Sequence, residues 1–185
     1  MRITSGLAKG HTLQVPMGIS DLRPSLDKVR EAIFNILGEY IIDKSVLDLY
    51  AGTGALGIEA LSRKAKLCDF VDRSKEAGDS ILNNLKRIHF EMKSDIFIEK
   101  VEDFLSQNFH SMYDVIFLDP PYIVKPIQPF KLIPRFINEK GIVIYLHGNQ
   151  SVTENQFDAN WLTEEFTILE KRRYGGTNVT FLQKK

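Results

Sequence analysis

The sequence predicts an open α/β fold, with a mostly parallel seven-stranded sheet that ends in an antiparallel hairpin. A small β-hairpin and a helix precede it. Three observations carry this. From Ser45 onward, short apolar runs alternate with helix-like segments, and strands alternating with helices form right-handed βαβ units around a parallel sheet. The turn from Gly52 to Gly57 holds three glycines and separates the first apolar run from the first helix. Near the end, two strand-like stretches are divided by Tyr174-Gly175-Gly176, which signals an antiparallel hairpin.

In chain order, Arg2-Ile3-Thr4 and Thr12-Leu13-Gln14-Val15 read as two short strands joined by a Gly-rich turn. Ser25 is placed to cap a helix from Lys28 to Tyr40, whose apolar residues Val29, Ile33, Ile36, Leu37 and Tyr40 recur at helical spacing. Strands are expected at 46–50, 67–71, 95–98, 113–118 and 141–146. Helices are expected at 55–63, 75–87 and 101–107, with a broken, Pro-punctuated one at 125–137. The closing hairpin pairs 165–173 with 177–182. No internal repeat or low-complexity tract interrupts this order.

Composition sets the class. The 185 residues suit one domain's worth of core, with 43% hydrophobic and 26% charged residues. The 24 basic side chains balance 24 acidic ones, so a nucleic-acid partner must be sought in a local basic face, not in net charge. Cys68 is alone, which excludes a disulfide framework and a thiolate zinc site; no metal is expected. No stretch approaches the roughly 20 apolar residues that cross a bilayer, and the first residues do not resemble a signal peptide. A cytoplasmic protein without a membrane partner is the expectation.

Leu47-Asp48-Leu49-Tyr50-Ala51-Gly52-Thr53-Gly54-Ala55-Leu56-Gly57 spans the strand-to-helix turn. Gly52, Gly54 and Gly57 fit a dinucleotide fingerprint, with Asp72 downstream. Three readings compete: a turn without a ligand, a nicotinamide or flavin site, and a site for S-adenosylmethionine. Asp48 favours the third. A carboxylate late in the strand repels a pyrophosphate but suits the ammonium and sulfonium of a methionine moiety. Asp72, ending the second strand, would accept hydrogen bonds from both ribose hydroxyls; its alternative is to cap the next helix near Ser74.

Asp119-Pro120-Pro121-Tyr122 follows the apolar run Val115-Ile116-Phe117-Leu118, where open α/β sheets bind ligands. Two prolines remove amide donors and fix the backbone, leaving a loop rich in acceptors. That chemistry suits an exocyclic base amine, whose lone pair is delocalised into its ring. Asp119 and the Pro120 carbonyl would hold its hydrogens, and Tyr122 would stack on the flipped base. The alternative is a rigid turn with a surface tyrosine.

The tetrad and the Asp48 loop together resemble the amino-group methyltransferases. The rest of the chain resembles the RsmD family, bacterial 16S ribosomal RNA guanine-N2 methyltransferases. That likeness includes Met1-Arg2-Ile3, Ser5-Gly6 with Lys9-Gly10, Arg23-Pro24-Ser25 and Asp27 through Leu37. It continues from Leu47 through Arg63 and ends with Arg173-Tyr174-Gly175 and Thr177. The resemblance implies a Rossmann-like class I methyltransferase fold and methyl transfer from S-adenosylmethionine to N2 of one guanine, within the assembled small subunit. Methylation of DNA adenine N6 or another nucleic-acid amine is the alternative. It implies catalysis by Asp119, Pro120, Pro121 and Tyr122. Cofactor contacts would come from Asp48, Tyr50, Ala51, Gly52, Thr53, Gly54, Leu56, Gly57, Asp72, Val101 and Glu102. The sequence departs from the family where Lys100 stands in place of an acid or amide, and where the fifth strand ends in His147. Asp72 also stands where Glu is more frequent.

The division expected is an RNA-docking extension over 1–40 and a methyltransferase domain over 41–185, acting as a monomer. Arg2, Lys9, Arg23, Lys28 and Arg30 precede the cofactor loop and suit phosphate contacts, although a plain solvated face is the competing reading. Lys171-Arg172-Arg173 divides evenly between RNA contact and solvation. His147 has no expected direct role, and Trp161 is expected to pack.

Overall fold

A computed structural model describes residues 1–15, 24–107, 112–121, 126–148 and 164–185. Its elements follow the alternation. Helix α1 (Pro24–Leu37) is followed by β1 (Ser45–Leu49), α2 (Ala55–Ser62), β2 (Leu67–Asp72) and α3 (Lys75–Arg87). Then come β3 (Ile96–Ile98), α4 (Val101–Ser106), β4 (Tyr113–Leu118), α5 (Ile127–Leu132), β5 (Ile137–Gly148), β6 (Phe166–Tyr174) and β7 (Thr177–Lys184). The strands form one sheet in the order β3-β2-β1-β4-β5-β7-β6. Pairing is parallel from β3 to β5 and antiparallel for β5–β7 and β6–β7. Among the described residues no helix is long and apolar enough to cross a membrane.

The order reverses between β1 and β4, so their C-terminal ends form the crevice where such sheets take ligands. Their register sets Asp48 beside Phe117 and Leu49 beside Leu118, and the Asp119 amide donates to the Leu49 carbonyl at 3.4 Å. Alternation along the central strands feeds two cores. Val46, Val115 and Phe117 belong to one, whereas Leu47, Leu49, Ile116 and Leu118 belong to the other. The first core also takes Ile3, Ala8, Leu13, Val29, Ile33 and Phe34. Residues 1–15 and α1 are therefore packed into the same apolar mass as the sheet.

Several elements differ from the sequence reading. Ser25 is not a helix cap: α1 begins at Pro24, whose fixed φ and missing N–H suit the first helical position. The α-helix stops at Leu37, not Tyr40, where Gly38 takes a left-handed φ of 52° and the chain tightens into a 3-10 turn, Gly38–Ile41. The N-terminal hairpin has a single antiparallel bridge, Arg2 to Thr12, since its outer partners are the helices and not another strand. The broken helix is shorter than expected: α5 gives way to the 3-10 turn Ile133–Arg135, with Pro134 inside it. β5 is longer than expected because it serves two neighbours, β4 on one side and β7 on the other. Lys125 and Trp161 lie outside the described residues.

Candidate active site

The glycine loop leaves β1 through Tyr50, which holds a left-handed φ of 59°, an uncommon conformation for a bulky residue. Its hydroxyl donates to Glu102 Oε1 at 2.8 Å, which ties the loop to the first turn of α4. Gly52 and Gly54 also take positive φ, 53° and 71°, and Gly54 leads into α2. Gly57 acts differently. A Cβ there would lie 2.4 Å from Phe70 Cε1 and 2.5 Å from Cys68 Sγ, so only glycine lets α2 lie this close to β2. Its amide donates to Asp48 Oδ2 at 2.9 Å. Asp48 is buried, and burial pushes its carboxyl well up, with Asp119 and Asp72 adding repulsion against the single Gly57 hydrogen bond.

Asp72 uses both carboxylate oxygens. Oδ2 accepts from the Gly52 amide at 2.8 Å and Oδ1 from the Ser74 amide at 2.9 Å. Ser74 is itself the cap of α3, its hydroxyl accepting from Ala77 at 3.1 Å. Asp72 thus braces the glycine loop and the start of α3 together, and a carboxylate oxygen has a second lone pair for a further donor. Val101 is buried in the second core, Glu102 is engaged with Tyr50, and Lys100 precedes α4 without a side-chain cap.

A cavity of about 80 Å³ opens between these strand ends and α1. Asp48, Tyr50, Ala51, Thr53 and Leu56 line it from the loop side, Asp119 from β4, Leu146 from β5, and Met1, Val29 and Arg30 from the N-terminal part. Burial pushes the Asp119 carboxyl up to about 7. Pro120 is buried and Pro121 exposed; Tyr122 lies outside the described residues. Two carboxylates facing one small cavity have a use for cationic or amino ligands and none for a pyrophosphate.

Of the basic candidates, Arg2, Lys9 and Lys28 have exposed side chains and Arg23 lies outside the described residues. Arg30 is a correction. It is only 3% exposed, because its guanidinium is drawn inward to the Arg2 carbonyl, to Asp27 and toward Glu59. No phosphate on a surface could reach it.

Sequence reasoning missed Glu59, which is fully buried. It accepts from the Thr4 amide at 2.9 Å, the Thr4 hydroxyl at 2.6 Å, the Ser5 amide at 3.1 Å and Arg63 Nε at 2.9 Å. Beside it, Ser62 receives the Ala8 amide at 3.0 Å and donates to the Ser5 carbonyl. Asn84 on α3 exchanges hydrogen bonds with the Gln14 backbone. The N-terminal segment is therefore fastened to α2 and α3, with Met1 reaching the cavity. His147 is buried, stacked on Tyr145 at 4.7 Å, and burial lowers its pKa. Arg172 pairs with Glu170, and Arg173 Nε donates to the Gly175 carbonyl.

A family model described as "Conserved hypothetical protein 95" matches residues 1–183. A Bacillus subtilis protein named "Putative rRNA methyltransferase YlbH" is 33% identical over 190 residues, covering 100% of both chains. "Ribosomal RNA small subunit methyltransferase D" of Haemophilus influenzae is 38% identical over 124 residues, 66% of this chain and 64% of that one. Among solved structures, "Putative methyltransferase yhhF" from Escherichia coli superposes with a TM-score of 0.84 at 23% identity, over 100% of this chain and 98% of that one. "SMU.776, a putative methyltransferase complexed with SAH" gives a TM-score of 0.72 at 19% identity, over 97% and 51%. These last two likenesses are of fold: a Rossmann-like methyltransferase sheet. The full-length match makes this chain a member of the family described as Conserved hypothetical protein 95, which is the RsmD family its motifs resemble.

Proposed function

We propose that this chain transfers a methyl group from S-adenosylmethionine to the exocyclic N2 of one guanine in 16S ribosomal RNA, within the assembled small subunit. The observation that carries the reading is the convergence of Asp48 and Asp119 on one cavity at the β1–β4 crevice. The residues fit the cofactor. Asp48 would receive the methionine ammonium, the turn of Gly52, Thr53 and Gly54 would let the chain approach the cofactor closely, and Asp72 would offer its remaining lone pairs to the ribose.

S-adenosylmethionine, when bound, would supply a methyl group activated by its sulfonium, the S–CH3 bond breaking as N–CH3 forms and the neutral thioether S-adenosylhomocysteine leaving. Asp119 and the Pro120 carbonyl accept the two hydrogens of N2, which favours a pyramidal nitrogen with its lone pair turned toward that methyl. Pro120 and Pro121 keep these acceptors in place. Alkylation makes the nitrogen acidic, and its proton passes to the Asp119 carboxylate or to water. Tyr122, assigned from sequence, stacks on the flipped base. Arg2, Lys9, Arg23 and Lys28 set the enzyme on the phosphate backbone without reading sequence.

The test is methyl transfer from radiolabelled cofactor to small subunits lacking the modification, compared with naked 16S RNA and duplex DNA, the modified base being identified by mass. N2-methylguanine formed on subunits is the expected product. N6-methyladenine in DNA, or no transfer to subunits, would replace this reading with that of another amino methyltransferase.

A further inference from the structure

Among the described residues, the charged side chains lining the cavity are two acids and one base: Asp48, Asp119 and Arg30. A methionine moiety joined to a sulfonium has the opposite pattern, two cations and one carboxylate. The acids have been matched to the ammonium and to the reacting amine. Nothing so far receives the carboxylate.

Arg30 has the donors to do so. A guanidinium carries five N–H groups in a planar fork. Nη2 donates to the Arg2 carbonyl and Nη1 meets Asp27 Oδ1 at 3.1 Å. Nε lies 3.4 Å from Glu59 Oε2 without making a hydrogen bond; that oxygen accepts the Thr4 amide, and Oε1 takes the Thr4 hydroxyl, the Ser5 amide and Arg63 Nε. A buried donor left unsatisfied is costly unless a ligand completes it. Arginine is also the side chain whose fork matches a carboxylate.

We infer that Arg30 is the cofactor-carboxylate receptor, held at the cavity wall by Glu59, Asp27 and the Arg2 carbonyl. The inference rests on the S-adenosylmethionine reading and adds to it the chemical group that Arg30 selects. A ligand with the carboxylate should bind through Arg30, and one without it should not use Arg30 at all.

The experiment is calorimetric titration of three stable probes: S-adenosylhomocysteine, its decarboxylated analogue, and 5′-methylthioadenosine, which lacks the amino-acid end. Each is titrated into wild type, Arg30→Met and Arg30→Lys, with melting temperature recorded alongside. Arg30→Met is expected to weaken S-adenosylhomocysteine by roughly 10- to 100-fold, the loss of a charge-assisted contact. The other two probes should change by less than about 3-fold, within the scatter of surface substitutions. Arg30→Lys keeps a cation beside Glu59 and serves if Arg30→Met does not fold; it should show the same selective loss, smaller in size. Equal weakening of all three probes would mean that Arg30 only supports the fold, and unchanged S-adenosylhomocysteine binding would remove it from the site. Acetylating the N-terminus removes the rival cation of Met1, and a selective loss there instead would reassign the carboxylate. Failure of wild type to bind any probe would overturn the cofactor reading itself.

Discussion

Asp119 carries a cost that shows in the pH dependence of both folding and reaction. Its ordinary value is 3.8 and burial raises it to about 7 in the folded chain. Between those values the folded chain keeps a proton that the unfolded chain has released, so stability from this group is lost as pH rises through that window. Asp119→Asn should therefore gain stability relative to wild type from about pH 4 to about pH 7, then hold that gain. Denaturant melts across the range test this, and a difference independent of pH would reject it. The same substitution is expected to lower single-turnover methyl transfer by roughly 10²–10³, the scale of one preorganised group. Wild-type transfer should rise from pH 6 to 8 as the carboxylate forms. Asp72→Ala is expected to weaken S-adenosylhomocysteine by about 1–3 kcal/mol and also to lower the melting temperature, because the Gly52 and Ser74 amides lose their acceptor. Undiminished affinity in calorimetry would place the ribose elsewhere.

At the scale of elements, Gly57 separates two duties that the glycine pattern runs together. Gly57→Ala forces a methyl group into Phe70 and Cys68, an overpacking that costs roughly 1–3 kcal/mol, while the amide to Asp48 stays available. Thermal melting should fall accordingly, and an unchanged melt would show that α2 can move off β2 freely. The alternation of strands and helices was legible because each βαβ unit carries its own periodicity. Asp48 and Asp119 were legible because both sit at strand ends, and strand ends are where an open sheet meets its ligand. Element ends were less so. Ser25 looked like a cap from its residue type, yet Pro24 starts the helix. Arg30 looked like a surface base from its neighbours in sequence, yet its partners are a carbonyl 28 residues away and Glu59 on another helix. Glu59 itself sits in an ordinary helical run, and nothing local marks an acid whose partners lie 54 and 55 residues back.

For the whole molecule, Glu59 joins the N-terminal segment to the part that holds the glycine loop. Glu59→Ala leaves the buried Arg30 without its one buried acid neighbour and the Thr4 and Ser5 amides without acceptors, a loss of about 3–5 kcal/mol by analogy with broken buried pairs. Equilibrium unfolding of Glu59→Ala and Glu59→Gln measures it; Gln should recover part, since it keeps an acceptor. A loss below about 1 kcal/mol would mean that the segment is held by its apolar contacts alone. The expected two-part division at residue 40 also meets the shared core at this scale: Ile3, Leu13 and Phe34 pack with Val46 and Phe117, so the extension is built into the sheet's own packing.

The fastening of Thr4 and Ser5 to Glu59 also imposes a schedule on synthesis. The segment leaves the ribosome before its acceptor, which arrives more than fifty residues later, with α2. Until then Thr4 and Ser5 lack that acceptor, and joining them to it means bringing together distant parts of the chain. It follows that this segment is fastened only once α2 has emerged, and that a ribosome stalled before α2 would present residues 1–15 unfastened and more open to protease.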